Sequence, residues 1–197
     1  MKQTTYKRQS GVVLIIALIV LVAMTLAAIA LVRSVDTNNL IAGNMAFQQS
    51  AVHSADAGIE AAANWLNLQT SATLEQSDST NGYNAAGSTT APDLTTNPPQ
   101  TWDAYWTATL DARAYHSTQA DNAGNTWAYV IDRLCNNTGS RTNGASCVGS
   151  PQVTTTPVNQ KTSGAQLSGN SAVFYRITVR VTGPRNTVSY VQTVIAL

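Results

Sequence analysis

From Val12 to Val32 the chain is an apolar run without a single charge, broken only by the hydroxyl of Thr25. About 18 or more such residues, wound as a helix, span a bilayer core of ~30 Å. In front of the run stands the leader MKQTTYKRQSG, with Lys2, Lys7 and Arg8 and no acid. The positive-inside bias places that leader in the cytoplasm and sends the remainder outward. A removed secretory signal would have a shorter apolar region, roughly 7 to 15 residues, and a small-residue cleavage site behind it. Here the small residue, Gly11, lies ahead of the run. The residues alone predict an uncleaved signal anchor, a single pass with the remainder of the chain on the outer side.

Composition agrees with export. The chain has 197 residues, 11% charged, with formal net charge +1. Without the leader, eight basic residues stand against ten acidic ones, a formal −2. That balance speaks against a polyanionic partner, so no nucleic acid is expected. Cys135 and Cys147 bracket CNNTGSRTNGASC, rich in Gly, Asn and Ser. In an exported chain this reads as a disulfide-closed loop, with a gain of about 3 kcal/mol in the entropic picture. A zinc site competes, weakened because there is no second cysteine pair and the only histidines are His53 and His116. No metal or cofactor is expected.

The helical pattern continues past Val32. Ile41, Met45, Val52, Ala55, Ile59, Ala62 and Leu66 form one stripe, with Gln48 as a polar member. One helix from Val12 to about Leu68 would measure ~85 Å at 1.5 Å per residue. Its 12–33 half suits a membrane or a helical bundle and its 34–68 half is amphipathic. Gly43 and Gly58 each cost about 1 kcal/mol against alanine, which marks Gly43 as a candidate bend. On the opposite face His53, Asp56 and Glu60 share one side, a spacing that could gather two carboxylates and an imidazole around a metal or a proton-transfer site. With no further ligand nearby, a solvated face or a polar contact to a neighbouring subunit is favoured.

Residues 69–100 are polar and rich in turn formers, which predicts a long connecting loop. Trp102, Tyr105 and Trp106 follow at helical spacing and are read as a packing anchor rather than a stacking platform for a ligand. The remaining 101–197 segment alternates. ARAYHSTQ, a turn at DNAGN and TWAYVIDRL predict one hairpin; AVFYRITVRV, a turn at GPRN and TVSYVQTVIA predict a second. In the latter, Phe174, Arg176, Thr178 and Arg180 fall on one side, and Tyr175, Ile177, Val179 and Val181 on the other. The fold class is therefore α+β, with the outer half of the long helix covering an antiparallel sheet of about four strands, a ladle.

A basic leader, Gly11 and then an apolar helix resemble a type III prepilin signal, and the whole architecture resembles a type IV pilin. Particular strings are similar to minor pilins of the PilX family: QSGVVLIIALIVL, NNLIAGNMAFQQSAVHSADAGIEAA, YVIDRLC and YRITVRVTGPRNTVSYVQTVIAL. The resemblance implies a leader peptide, residues 1–11, cut by prepilin peptidase between Gly11 and Val12. It implies N-methylation of Val12 and retention of 12–33 as a transmembrane helix, a single pass through the inner membrane with the carboxy-terminal domain periplasmic, and then as a filament-core helix. It also implies partnership with PilV-, PilW- and FimU/PilE-like minor pilins, the major pilin and a PilY-type tip adhesin. The implied roles are priming of pilus assembly, twitching motility and adhesion, in an extracellular pilus after assembly. One position departs from the pattern: major pilins carry glutamate at the fifth mature position, and here that residue is Ile16.

Other functions fit less well. An enzyme is disfavoured because the chain has no phosphate-cradling glycine loop, no metal-ligand cluster and no G-x-S-x-G elbow. A GspK-like pseudopilin of type II secretion would need a large inserted metal-binding subdomain, for which this chain is short and poor in acids. A plain single-pass periplasmic protein is the remaining alternative. A DNA-binding pilin should show a basic stripe; Arg176 and Arg180 share a strand face but are read as solvated surface arginines.

Overall fold

The computed structural model describes residues 11–149 and 172–197. All but the last residue of the leader, 1–10, lies outside the described residues. The chain divides between Ala46 and Phe47 into two compact units.

The first element, helix α1 (Val12–Asn67), runs without interruption through both Gly43 and Gly58, so the helix does not break at either glycine. In the first unit the apolar side chains from Val12 to Val35 are bare. Thr25 turns its hydroxyl back on the helix backbone, donating to the carbonyl of Val22 (2.8 Å), and just past this stretch Thr37 donates to that of Arg33 (2.9 Å). A helix satisfies its own backbone groups, so it needs no other support in an apolar medium. At its far end Leu68 and Gln69 donate to the carbonyls of Trp65 and Leu66, closing the last turn.

The second unit is a sheet of five strands: β1 (Tyr83–Asn84), β2 (Tyr115–His116), β3 (Thr126–Arg133), β4 (Phe174–Gly183) and β5 (Thr187–Ala196). The two hairpins read from the alternation are present, β2–β3 and β3–β4–β5 being antiparallel. The sheet differs from the expected four strands in one respect. β1, from the connection expected to be irregular, lies parallel to β3 at Ile131 and Asp132. It shares the edge of β3 that β2 uses at Ala128 and Tyr129, and each of the two strands is two residues long. Tyr83 and Ala85 of this connection are buried.

The apolar side of β4 is covered by α1, as the alternation predicts. Ala51, Ala55, Ala62 and Leu66 share one core with Tyr175, Ile177, Val179 and Val181. The buried helix face is rotated from the expected stripe. Ser54 and Gly58 lie in it, while Val52, expected inside, is 47% exposed. Small residues win the position because the helix approaches the sheet closely. A Cβ on Gly58 would sit 2.8 Å from Val179 Cγ1 and 3.4 Å from the Trp127 ring. The other side of the sheet is also covered, which the alternation did not predict. Helix α2 (Trp102–Tyr105) leads through a wider turn, Trp106–Leu110, to a tight one, Asp111–Arg113. Tyr105, Trp106 and Leu110 pack on Ala128 and Val130, so the aromatic cluster is the packing anchor expected of it.

Replacing Gly58 with leucine forces a branched side chain between Val179 and Trp127. Overpacking of this kind costs about 1–3 kcal/mol. Denaturant unfolding of the Gly58→Leu chain, followed by tryptophan fluorescence, should show a lowered midpoint with an unchanged slope.

Candidate functional site

The exposed amino-terminal half of α1 is the first candidate. The carbonyl of Gly11 accepts from the N–H groups of Leu14 and Ile15, so the helix opens on the residue where the resemblance places cleavage. Val12 and Ile16 are both more than half exposed. The helix is long and apolar enough to cross a membrane, which is compatible with a single-pass anchor. Further along, His53 and Asp56 lie on the exposed side, with Nδ1 to Oδ2 at 4.0 Å and both side chains largely open to solvent. Glu60 is exposed as well. Among the described residues no group of three His, Cys, Asp or Glu side chains converges to hold a metal ion.

The second candidate is a pair of polar clamps that sequence reasoning missed. Arg176 and Arg180, read as solvated, have side chains only 16% and 25% exposed. The correction has a physical reason. Both faces of β4 are covered, so a guanidinium there must find partners. Arg176 donates to Asp132 Oδ2 at 3.5 Å and to the carbonyls of Gly87 and Thr90. Arg113 donates to Asp132 Oδ1 at 2.7 Å and to the Gly82 carbonyl at 3.1 Å. Asn84 adds a third donor to the same carboxylate at 3.4 Å. The Asp132 side chain is 1% exposed. Burial pushes its carboxyl above the ordinary carboxylate value, and the two guanidinium groups pull against that. Gly87 is required beside it, since a Cβ there would overlap Asp132. One buried acid thus ties four separate stretches: the 82–90 connection, the 111–113 turn, β3 and β4.

The other clamp is more open. Asp103 Oδ1 accepts from Tyr190 (2.9 Å) and from Arg180 (3.2 Å), and Arg180 Nε reaches the Tyr190 hydroxyl at 3.1 Å. The Tyr190 hydrogen bond first, then that of Arg180, hold the Asp103 carboxyl below its usual range. Burial together with the hydrogen bond to Asp103 pushes Tyr190 up to about 12. Trp102 and Trp106 lie against the Tyr190 ring, with centroids 5.9 and 6.0 Å away. The signal for both clamps was present in the sequence: a lone acid inside the apolar string YVIDRL, and two arginines on one strand of a charge-poor chain.

Cys135 and Cys147 are bonded to each other. Cys135 is fully buried. The loop they close is tied down from outside: Gly139 donates to the Glu75 carbonyl, and the buried Arg133 donates to the carbonyls of Gly139 (2.8 Å) and Leu74 (3.4 Å). Beside it lies a cleft of about 490 Å³ between Leu66, Leu74, Arg133 and Val173. These arrangements hold polypeptide segments in place.

No family model, curated protein or solved structure matches this chain.

Two outcomes follow from this geometry. Asp132→Ala leaves two largely buried guanidinium groups facing each other without an acid, which costs about 3–5 kcal/mol. The variant should therefore lose its cooperative unfolding transition at temperatures where the parent is folded, as read by near-ultraviolet circular dichroism. Cys147→Ser should cost about 3 kcal/mol and lower the amount recovered from a secreting host. Alkylation of both thiols in the unreduced parent chain would contradict the bond.

Proposed function

We propose that this chain is a minor pilin of the PilX type, a structural subunit of the type IV pilus that catalyses nothing. In this reading prepilin peptidase cuts between Gly11 and Val12 and Val12 becomes N-methylated. The 12–33 segment anchors the subunit in the inner membrane until it joins a priming complex with PilV-, PilW- and FimU/PilE-like subunits. That complex carries a PilY-type adhesin at the pilus tip and serves assembly, twitching motility and attachment.

The observation that carries the reading is the double use of α1. It opens at Gly11, presents bare apolar side chains from Val12 to Val35, and then buries a small-residue face under the sheet between Ala51 and Leu66. An apolar helix of that kind can leave lipid for equally apolar helices of neighbouring subunits at little cost in desolvation, association being driven by packing. Ile16 supports a place at the tip. A charged amino terminus at Val12 in an apolar medium costs several kcal/mol unless paired. A subunit joining an existing filament gains by offering that terminus a carboxylate. Ile16 offers none, which is tolerable where no earlier subunit awaits neutralisation.

Intact-protein mass spectrometry of the membrane-extracted chain tests the processing. In a host with active prepilin peptidase the mass should correspond to methylated Val12 at the amino terminus, and Gly11→Leu should keep the leader. Immunogold labelling of sheared pili should place gold at filament ends. Labels spaced along the shafts would overturn the tip position.

A further inference from the structure

Arg133 differs from the other arginines packed around the sheet. Arg113 and Arg176 meet Asp132, and Arg180 meets Asp103, all three being partly exposed. Arg133 is buried, at 4% exposed, and forms no ion pair with an acid of this chain. All ten acids lie among the described residues, so none remains elsewhere to meet it. A guanidinium cannot shed its proton to escape burial as an amine can. Its charge is costly there unless an anion from outside the chain answers it.

The nitrogens of Arg133 narrow the choice of anion. Nη1 donates to the carbonyls of Gly139 and Leu74. Nε is enclosed and bonded to nothing, and Nη2 has no partner among the described residues. Nε and Nη2 carry parallel N–H groups along one edge of the guanidinium, the fork that takes both oxygens of a carboxylate. That edge is the unused one.

Arg133 also lines the cleft of about 490 Å³, a volume within the range of small-molecule sites. The end of α1, the 71–75 turn, the disulfide loop and the paired residues Val173 and Leu197 meet around it. Leu66, Leu74 and Val173 supply apolar wall. Burial raises the Tyr175 hydroxyl above its ordinary value, while Arg133 and Arg141 act against that shift, so the field of both guanidinium groups reaches this side of the cleft. Glu75, the acid in the lining, makes no ion pair with Arg133. One unanswered positive charge calls for one negative charge, which favours a carboxylate over a phosphate dianion. The apolar wall calls for a short hydrocarbon part.

We propose that this cleft binds a small aliphatic monocarboxylate, its two oxygens on Nη2 and Nε of Arg133 and its hydrocarbon part against Leu66 and Val173. The site needs nothing from the pilin reading and stands or falls apart from it.

Calorimetric titration of the full-length chain in detergent, at fixed ionic strength and near neutral pH, tests this with pentanoate as the probe. Binding should be saturable with a Kd on the order of 1 mM, as one charged fork and a short apolar chain allow. The thermal unfolding midpoint should rise as pentanoate passes that concentration. Pentanol keeps the hydrocarbon and lacks the charge; inorganic phosphate keeps a charge and lacks the hydrocarbon. Each should bind at least about tenfold more weakly. Arg133→Lys keeps a cation and donors for the two carbonyls but has no fork, and should weaken pentanoate binding about tenfold or more. Ser71→Trp leaves Arg133 in place and fills the cleft from its exposed rim, which should abolish binding. Near-ultraviolet circular dichroism and retention of the Cys135–Cys147 bond verify folding of each variant, and the three probes on the parent chain decide the matter even where a variant fails to fold. The proposal is overturned by the absence of saturable pentanoate binding to the folded parent, by phosphate or pentanol binding as tightly as pentanoate, or by undiminished binding in folded Arg133→Lys or Ser71→Trp.

Discussion

In the second unit the close contact between α1 and β4 sets the positions of the other parts. It is made by residues with little or no side chain: Ala51, Ala55, Gly58 and Ala62 against Ile177, Val179 and Val181. Helix and sheet surfaces that approach this nearly leave no room for adjustment, because protein interiors are packed at crystal-like density. The rotation of α1 about its own axis follows from which small residues line one side. That rotation turns Val52 outward and places Ser54 and Gly58 inside. It also leaves His53 and Asp56 on the open side, where their 4.0 Å pairing is a solvated contact between exposed groups.

The sheet is then a layer covered on both faces, and this changes what its polar residues do. On a sheet with one wet face, Arg176 and Arg180 would be solubilising side chains. Beneath the 102–113 segment and the 82–90 connection they become fasteners, each meeting an acid from another part of the chain. Asp132 is the more consequential of the two acids, being nearly inaccessible and shared by two guanidinium groups and an amide. A buried acid held this way contributes less to net stability than to uniqueness: removing one partner exposes the full desolvation penalty of the rest, so alternative packings of the long connection are disfavoured. The disulfide loop follows the same logic, with Arg133 and Gly139 binding it to the 73–75 turn.

Among the described residues the buried polar groups of the second unit thus hold irregular segments in place, and the apolar ones are divided between an exposed helix and a two-sided core. On the proposed pilin reading, a subunit whose exposed apolar helix passes from lipid to neighbouring helices needs a second unit that stays folded on its own account. The clamps and the disulfide supply that independence without a large number of charges.

Much of this was determined by the sequence alone. The uncharged run after Gly11 dictates a helix that can lie in lipid, because no other backbone arrangement satisfies its own polar groups there. The period-two strings 174–183 and 187–196 dictate a hairpin, and the two closely spaced cysteines, with no second pair to complete a zinc site, point to a bond; all are local or nearly local signals. The tertiary structure decided the rest. Which face of α1 turns inward depended on the contour of β4, since periodicity counts apolar residues but does not report how near a backbone must come. The parallel strand Tyr83–Asn84 formed because β3 had an edge left over beyond β2, and two residues carry no periodicity from which to predict it. The partnership of Asp132 with Arg113 and Arg176 spans 19 and 44 positions of chain. A charge in sequence states only its sign, and whether it meets water or a distant opposite charge is settled when the layers close over it.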